Sequence, residues 1–280
     1  MANYQDYNSQ VLLLISYFLN YKEKSITTKD VKAIMKSGVN EVEAYTLILI
    51  AILGVEDNVL IREYFYNMIE KLSIKDFENN LYYKNIKFSS AKLKDWEIKS
   101  DYYSSYELFV KDDFKYIGEK VIPNLGFFSQ KFSYPAVYQN NRLWMSVTPN
   151  EINTMAEPIK KANGDVLTFG LGLGYFAYMC SLKDDVKSVT IIEKDSSVIE
   201  LFNKYILPQF KHKEKIKIIQ LDAYEYLENN KTYPFDFIFV DIYHDAGDGK
   251  EVYKKFIKYQ EKAKCKHFDF WIEKTIKYYL

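Results

Sequence analysis

Three features of the sequence predict an α/β protein with a parallel sheet in its C-terminal half. Apolar residues recur at helical spacing over residues 11–72, and residues 126–148 read as two strands. From residue 164 onward, strand-like runs alternate with helical ones, which is typical of a parallel sheet covered on both faces. We therefore expect a mainly helical domain over residues 1–122, a linking β-hairpin over 123–150 and a sheet domain over 151–280.

Four helices are expected near the N-terminus, over residues 11–21, 25–38, 40–54 and 57–72. Thr28 is the expected N-cap of the second helix, which Gly38 ends, and the third helix also closes on a glycine. A further helix is expected over YELFVKDDFKYI, residues 106–117.

The linking hairpin is expected to turn at residues 139–142, a tetrad rich in turn-forming side chains. Directly after it, Thr148, Pro149 and Glu151 have the spacing of a capping box with proline at the first helical position. Ser197 and Glu200 repeat the capping-box spacing further along the chain.

The sheet domain is expected to contain five strands separated by helices. The strands cover residues 165–170, 188–195, 215–223, 235–242 and 267–273. Because these runs are apolar on both faces, we expect each strand to be buried between two layers of helices. The last of these helices is expected over residues 251–264.

Composition argues against several classes of function. Lys+Arg and Asp+Glu both number 38, so the basic excess of a nucleic-acid-binding protein is lacking. The two cysteines, Cys180 and Cys265, and the three histidines lack zinc-site spacing, and we expect no metal. No uncharged stretch is suited to span a bilayer, and the N-terminus lacks the basic residues of a signal peptide. A soluble cytoplasmic protein with a small-molecule substrate is the expectation.

A glycine-rich run and three acids stand where the first four strands should end. Three of the ten glycines fall within five residues, and an acid closes each of the next three strands. Since open α/β sheets bind ligands at the carboxyl ends of their strands, these residues should share one site. They are Gly170, Gly172 and Gly174, followed by Glu193, Asp222 and Asp241.

The chemistry of these residues suits a nucleotide. Glycines permit a tight turn and close approach of a ligand to the main chain. Glu193 lies 19 residues past Gly174, close to the separation of about 20 at which an acid accepts ribose hydroxyls. Asp222 is placed to accept the exocyclic amine of adenine. The alternative is structural, since a glycine run is often only a turn and strand-end acids are often helix caps.

A dinucleotide site is a second possibility, because residues 172–177 fit the G-x-G-x-x-[GA] fingerprint. That fingerprint needs no acid after the third and fourth strands. The ordered acids therefore favour a different adenosine-bearing ligand.

The segments VLTFGLGLGYFAYM, TIIEKD, LDAYEYL and FDFIFVDI resemble the class I S-adenosylmethionine (SAM)-dependent methyltransferases. The resemblance covers about residues 146–245 and implies a Rossmann-like SAM-binding domain over 151–280. It departs from the family at Phe169, where an acid commonly precedes the first glycine. The cofactor-binding residues that it implies are Gly170, Leu171, Gly172, Gly174, Glu193, Asp222, Ala223 and Asp241.

The layout also resembles the polyamine aminopropyltransferases, which are spermidine synthase-like members of the same superfamily. Those proteins place a β-hairpin before the Rossmann-like domain and use Glu-x-Asp after the second strand, as in residues 193–195. They also carry an aspartate in the glycine run, where this chain has Leu173, and an Asp-x-x-Asp after the fourth strand. Here the second acid, Asp245, comes one residue late.

The segment after the fourth strand is the expected reaction centre. The resemblance implies that Asp241, Tyr243, His244 and Asp245 project over the transferable methyl group, and Asp241 and His244 are the candidate catalytic residues. His244 is the candidate general base, with an uninvolved loop histidine as the alternative.

The sequence thus predicts a SAM-dependent methyltransferase with an unidentified small-molecule acceptor. Spermidine synthase-like aminopropyl transfer and non-catalytic binding of SAM or a nucleotide stay open. Ser146 and Thr148 are either contacts to the carboxylate of the cofactor or plain capping residues.

Overall fold

The structure is a computed structural model that describes residues 4–20, 26–56, 58–230, 233–260 and 267–280. Two compact units divide the chain. One comprises Met1–Lys75 and Tyr102–Ser133, and the other comprises Asp76–Asp101 and Tyr134–Leu280. The residues are thus grouped differently from the expected ranges, because each unit takes two separate stretches of chain. The assignment of a helical, a linking and a SAM-binding part stays a prediction.

The first unit contains the four expected helices. They are α1 (Tyr4–Asn20), α2 (Thr28–Met35), α3 (Glu41–Leu53) and α4 (Val59–Met68), while residues 21, 25 and 57 of the predictions lie outside the described ranges. The N-cap of α2 is Thr27 rather than Thr28, because the Thr27 side chain forms a capping box with Asp30. Helix α3 ends at Gly54 in the left-handed conformation, as a terminal glycine predicts.

The first unit also contains a three-stranded sheet that the sequence did not predict. Strands β1 (Ile69–Lys71), β4 (Phe109–Ile117) and β5 (Lys120–Phe127), numbered in chain order, lie in the order β1-β5-β4. The helix expected over residues 106–117 is therefore wrong. A two-residue turn begins at Gly118, which has φ of 59°, and brings Ile117 opposite Lys120. Strand β4 therefore forms its main-chain hydrogen bonds with β5 in an antiparallel hairpin.

The second unit begins with short elements and a four-stranded sheet. Helices α5 (Ile74–Glu78) and α6 (Leu81–Asn85) come first, and strands β2 (Ala91–Leu93), β3 (Trp96–Tyr103), β6 (Phe132–Gln139) and β7 (Arg142–Ser146) follow in the order β2-β3-β6-β7. The predicted turn is confirmed. Asn140 and Asn141 both have positive φ, 49° and 63°, and Gln139 faces Arg142.

The predicted parallel sheet is confirmed with all five strands. They are β8 (Gly164–Phe169), β9 (Val186–Glu193), β10 (Ile216–Gln220), β11 (Phe237–Val240) and β12 (His267–Phe270). Their order is β10-β9-β8-β11-β12, and every neighbouring pair is parallel. The chain therefore winds outward in two directions from β8, so the ends of β8, β9 and β11 meet at the point where the strand order reverses.

Helices connect these strands. They are α7 (Pro149–Thr154), α8 (Ala156–Lys161), α9 (Tyr175–Ser181), α10 (Ser196–Leu201), α11 (Ala223–Asn229), α12 (Ala246–Gln260) and α13 (Glu273–Tyr278). A π-helical stretch, Phe202–Ile206, extends α10. Residues 261–264 of the last predicted helix lie outside the described ranges.

Both predicted capping boxes in this unit are wrong. Thr148 is the N-cap residue of α7 and Pro149 begins the helix, as predicted, but the Thr148 side chain makes no cap hydrogen bond and Glu151 is buried instead of folding back. Ser197 lies inside α10, since Asp195 caps that helix by accepting from the main chain of Ser197 and Val198. Asp195 lies two residues before Ser197, and aspartate is as favourable an N-cap as serine. Because β9 ends at Glu193, the chain reaches the start of α10 at Asp195.

Each unit has its own apolar core. In the second unit the core runs along both faces of the parallel sheet, where every residue of β11 is buried. Within the described ranges no helix combines the length and the apolarity needed to cross a membrane. The same ranges hold no group of three or more His, Cys, Asp or Glu side chains that could bind a metal ion.

Candidate functional site

The glycine-rich run forms a tight turn between β8 and α9. Gly170, Gly172 and Gly174 have φ of 96°, 49° and 71°, which side-chain-bearing residues rarely adopt. The turn is closed by a hydrogen bond of 2.8 Å from the N–H of Gly174 to the carbonyl of Leu171. The three glycines are thus required by the backbone itself.

Close neighbours occupy the space beside each glycine. A Cβ atom on Gly170 would lie 2.0 Å from the main-chain oxygen of Asp241, and one on Gly174 would lie 2.3 Å from the ring of Phe202. Beside Gly172 the nearest atom is the sulfur of Met145, 2.1 Å from the Cβ position. The neighbours of Gly170 and Gly174 belong to the sheet domain itself, whereas Met145 comes from strand β7.

Leu173 anchors the turn through both of its main-chain groups. Its N–H lies 3.1 Å from the sulfur of Met145, and its carbonyl accepts a hydrogen bond from the hydroxyl of Tyr82. The side chains of Leu171 and Leu173 are buried, so the turn presents main chain rather than side chains. Sequence analysis did not single out Tyr82, which lies far away in the sequence.

Glu193 holds the glycine turn at the end of β9. One carboxylate oxygen, Oε2, accepts from the N–H of Leu171 at 3.2 Å, and Oε1 accepts from the N–H of Asp195 at 2.9 Å. Burial raises the pKa of Glu193, and the hydrogen bonds from the main chain of Asp195 and Leu171 oppose that rise. A carboxylate offers about four acceptor positions, so beside the main-chain donors Leu171, Lys194 and Asp195 the side chain can still accept a hydrogen bond.

Two of the acids at strand ends cap helices. Asp195 Oδ1 accepts from the N–H of Ser197 at 2.8 Å, and its Oδ2 accepts from the indole of Trp96 at 2.9 Å. Asp222 Oδ1 accepts from the N–H of Tyr224 at 2.8 Å. Asp222 therefore caps α11, which is the structural role that the sequence left open for a strand-end acid. This role does not prevent it from also binding a ligand. Ala223, the next residue, is buried.

Glu151 is buried and Asp241 is half-buried, and the two acids lie within electrostatic reach of each other. Burial raises the pKa of Asp241 to about 7. Burial also raises the pKa of Glu151 well above its usual range, and the charge of Asp241 adds to that effect. The Oε2 atom of Glu151 is buried and has no hydrogen-bond partner. Glu151 was expected to cap a helix, and its burial beside an acid is what the sequence did not reveal.

The segment after β11 separates into a buried part and an exposed part. Tyr243 is directed into the core, where its hydroxyl donates to the carbonyl of Trp271. Asp245 is exposed, and its Oδ1 accepts from the N–H of Gly247 at 2.6 Å at the start of α12. The side chains of Tyr243 and Asp245 are thus engaged in structural hydrogen bonds.

His244 lies between an acid and an aromatic ring. Its Nδ1 is 3.4 Å from Asp248 Oδ2, while its Nε2 is buried and has no partner. The ring of Trp144 meets the imidazole edge-on, with centroids 4.1 Å apart. Trp144 also meets Trp96 edge-on at 5.6 Å, which joins β7 to β3 of the same four-stranded sheet.

Strand β7 brings residues to the site that sequence analysis missed. Trp144 contacts His244 and Met145 contacts the glycine turn. The only available signal was position, since both residues stand directly before the sheet domain on a predicted hairpin. Ser146 and Thr148, which follow them, are buried.

A family model described as the spermine/spermidine synthase domain matches residues 150–267, which is less than half of the chain. No curated protein matches this chain. Among solved structures, spermidine synthase from Thermotoga maritima is similar at 19% identity, covering 44% of this chain and 48% of that protein, with a TM-score of 0.32. An O-methyltransferase from Bacillus cereus, in complex with SAH, is similar at 22% identity, covering 38% and 48%, with a TM-score of 0.29.

These matches span about half the length of each solved protein. At these identities and TM-scores, neither structure carries an argument about activity. The family model covers the parallel sheet and its helices from α7 to the start of β12, which is the part of the chain that holds the glycine turn. Over residues 150–267, this protein resembles the spermine/spermidine synthase domain.

Proposed function

We propose that this chain is a SAM-dependent methyltransferase that acts on a small-molecule acceptor. The observation that carries the proposal is the placement of Glu193, whose carboxylate is fixed against the glycine turn by the N–H of Leu171. A turn that presents bare main chain next to an oriented acid suits an adenosine-bearing ligand.

Residues at the ends of three strands would hold the cofactor. The main chain around Gly172 would approach the ligand closely, and the free lone pairs of Glu193 would accept the ribose hydroxyls. Asp222, fixed by its cap hydrogen bonds, would lie next to the adenine together with Ala223. When bound, SAM supplies a methyl group that is already activated on a sulfonium, so alignment of the acceptor accounts for most of the catalysis.

The segment after β11 would receive the acceptor. His244 Nε2 is buried and without a partner, so it can accept a proton from the acceptor as the methyl group is transferred. Asp248 at Nδ1 and the edge of Trp144 fix the orientation of the ring. Asp241 would complete this wall of the site.

Calorimetry with SAM, S-adenosylhomocysteine and NAD tests the proposal. We expect binding of both sulfur nucleosides at micromolar concentration or below, and no binding of NAD. Binding of NAD alone would contradict the proposal and would favour the dinucleotide alternative.

Glu193→Ala supplies the residue-level test. Hydrogen bonds to a charged group contribute about 1.5–3 kcal/mol, so the variant should bind S-adenosylhomocysteine about ten- to a hundredfold more weakly. Glu200→Ala is the matched control, because Glu200 is an exposed glutamate on the following helix. Equal affinity of both variants and the wild type would show that the ribose lies elsewhere. The melting temperature of Glu193→Ala, measured alongside, reports any loss due to unfolding.

Aminopropyl transfer is the second candidate, and the pair of Glu151 and Asp241 favours it. A buried carboxylate oxygen without a partner is costly, and the ammonium group of a polyamine would satisfy it. If this candidate is correct, we expect tighter binding of decarboxylated SAM than of SAM, and transfer of the aminopropyl group to a diamine. The resemblance of residues 150–267 to the spermine/spermidine synthase domain supports the same candidate. Affinity for SAM without turnover on any acceptor would favour the non-catalytic alternative.

A further inference from the structure

The side chain of Met145 lies on the main chain of the glycine turn. Its sulfur is 3.1 Å from the nitrogen of Leu173 and only 2.1 Å from the position that a Cβ atom on Gly172 would take. It therefore fills the space that the glycine leaves open.

A thioether is a weak hydrogen-bond acceptor for a main-chain N–H. Oxygen atoms of a polar ligand are stronger acceptors, so a ligand that reaches Leu173 would form a better hydrogen bond than Met145 does. Methionine has three rotatable side-chain bonds, and Met145 is only half-buried. Because Met145 lies at the margin of the core, its side chain has other rotamers through which it can leave the turn.

The strand that carries Met145 is irregular at this point. Met145 pairs with Val137, and the pairing of β6 with β7 shifts in register between Val137 and Tyr138. Irregular pairing of this kind re-aims side chains near functional sites. Its neighbour Trp144 is held by contacts with Trp96 and His244, which fix the position of the strand next to Met145.

We propose that Met145 is a movable stopper of the glycine turn. Its thioether covers Gly172 and Leu173, and an adenosine-bearing sulfur ligand displaces it on binding. The inference rests on the proposed function for the identity of the ligand. Met145 is thus a specificity-determining residue: only a ligand that gains enough at the turn to replace the thioether can bind.

Two variants separate the bulk of the side chain from its sulfur. Met145→Ala removes the stopper, whereas Met145→Leu keeps most of its volume. If the closed arrangement accounts for about nine-tenths of the free protein, Met145→Ala should bind S-adenosylhomocysteine about tenfold more tightly, and Met145→Leu should stay within about threefold of wild type. Unchanged or weaker binding by Met145→Ala, with wild-type binding intact, would overturn the stopper.

A second measurement uses the unmodified chain. The six methionines can be labelled with ¹³C at the ε-methyl group, and the Met145 signal is assigned by its absence from the Met145→Leu spectrum. Addition of S-adenosylhomocysteine should shift the Met145 signal most, since this side chain leaves the main-chain N–H. A saturated complex with an unmoved Met145 signal would overturn the stopper alone. Failure of the wild type and both variants to bind SAM, its decarboxylated form or S-adenosylhomocysteine would overturn the proposed function and the stopper together.

Discussion

Asp241 is the residue whose surroundings depart most from what its sequence position predicts. It ends β11 as expected, but burial raises its pKa to about 7, and buried Glu151 lies within electrostatic reach. Two neighbouring acids, one buried and one half-buried, favour retention of protons. At neutral pH the pair is therefore poised to change charge when a cationic group arrives or a proton leaves.

This protonation makes stability depend on pH in a definite direction. A raised pKa means that the folded chain binds a proton that the unfolded chain, with a carboxyl pKa near 3.8, releases. The stabilisation is complete below about pH 4 and is lost as pH rises to about 7. For a shift of this size the loss is at most about 4 kcal/mol.

Asp241→Asn should remove that dependence. We expect the free energy of unfolding of the wild type to fall, relative to the variant, between about pH 4 and pH 7, as measured by urea denaturation at several pH values. Asp245→Asn is the matched control, because Asp245 is exposed and Asn can also cap α12. Parallel curves for wild type and Asp241→Asn would contradict a raised pKa at this site.

Residues of the site differ in how far the sequence could reveal them. Gly170 and Glu193 stand at strand ends in a recognisable order, and strand ends of a parallel sheet share one edge. Glu151 and Met145 precede the sheet, and their approach to it depends on packing between elements distant in sequence. For Glu151 the capping-box spacing predicted an exposed capping side chain, which is wrong, because a local sequence pattern does not show whether a residue is buried.

At the scale of elements, the connections of the parallel sheet serve as both caps and candidate binding groups. Asp195 caps α10 and Asp222 caps α11. A cap fixes the rotamer of an acid, and a fixed acid loses little entropy when it binds a ligand. A structural role thus supports a binding role rather than replacing it.

Asp222→Ala tests the two roles together. Loss of a cap costs about 1 kcal/mol, so the free energy of unfolding should fall by that amount, whereas Asp222→Asn should keep the cap and the stability. If Asp222 also contacts adenine, calorimetry should show weaker binding of S-adenosylhomocysteine by the alanine variant. A stability loss without any change in affinity would leave Asp222 as a cap only.

Strand pairing sets the limit of prediction for elements. The parallel strands of the sheet were predictable, because apolar runs between helices leave few alternatives. Strand β4 was not, since its sequence carries charged residues in its middle and its backbone partners come from β5. The turn at Gly118 was the one local signal for that hairpin.

At the scale of the whole molecule, the unit that holds the glycine turn is built from two stretches of chain. Residues 76–101 supply Tyr82, which binds the carbonyl of Leu173, and Trp96, which binds Asp195. The sheet domain expected over 151–280 therefore lacks groups that fix its own site.

A fragment of residues 151–280 should for this reason fail to fold on its own. It loses the hairpin β6–β7 and the aromatic contacts of Tyr82 with Tyr175 and Tyr178. We expect a poorly dispersed NMR spectrum and no cooperative thermal transition. The full chain, which keeps both stretches of the unit, is the control and should show a cooperative transition. A cooperatively folded 151–280 fragment would show that these contacts are dispensable.

All three tryptophans of the chain, at positions 96, 144 and 271, belong to the unit with the parallel sheet. Tryptophan emission consequently arises from this unit alone. Trp144 contacts the imidazole of His244 directly. Selective excitation of tryptophan therefore reports on the unit with the parallel sheet, and a ligand that alters the contact between Trp144 and His244 should change that emission.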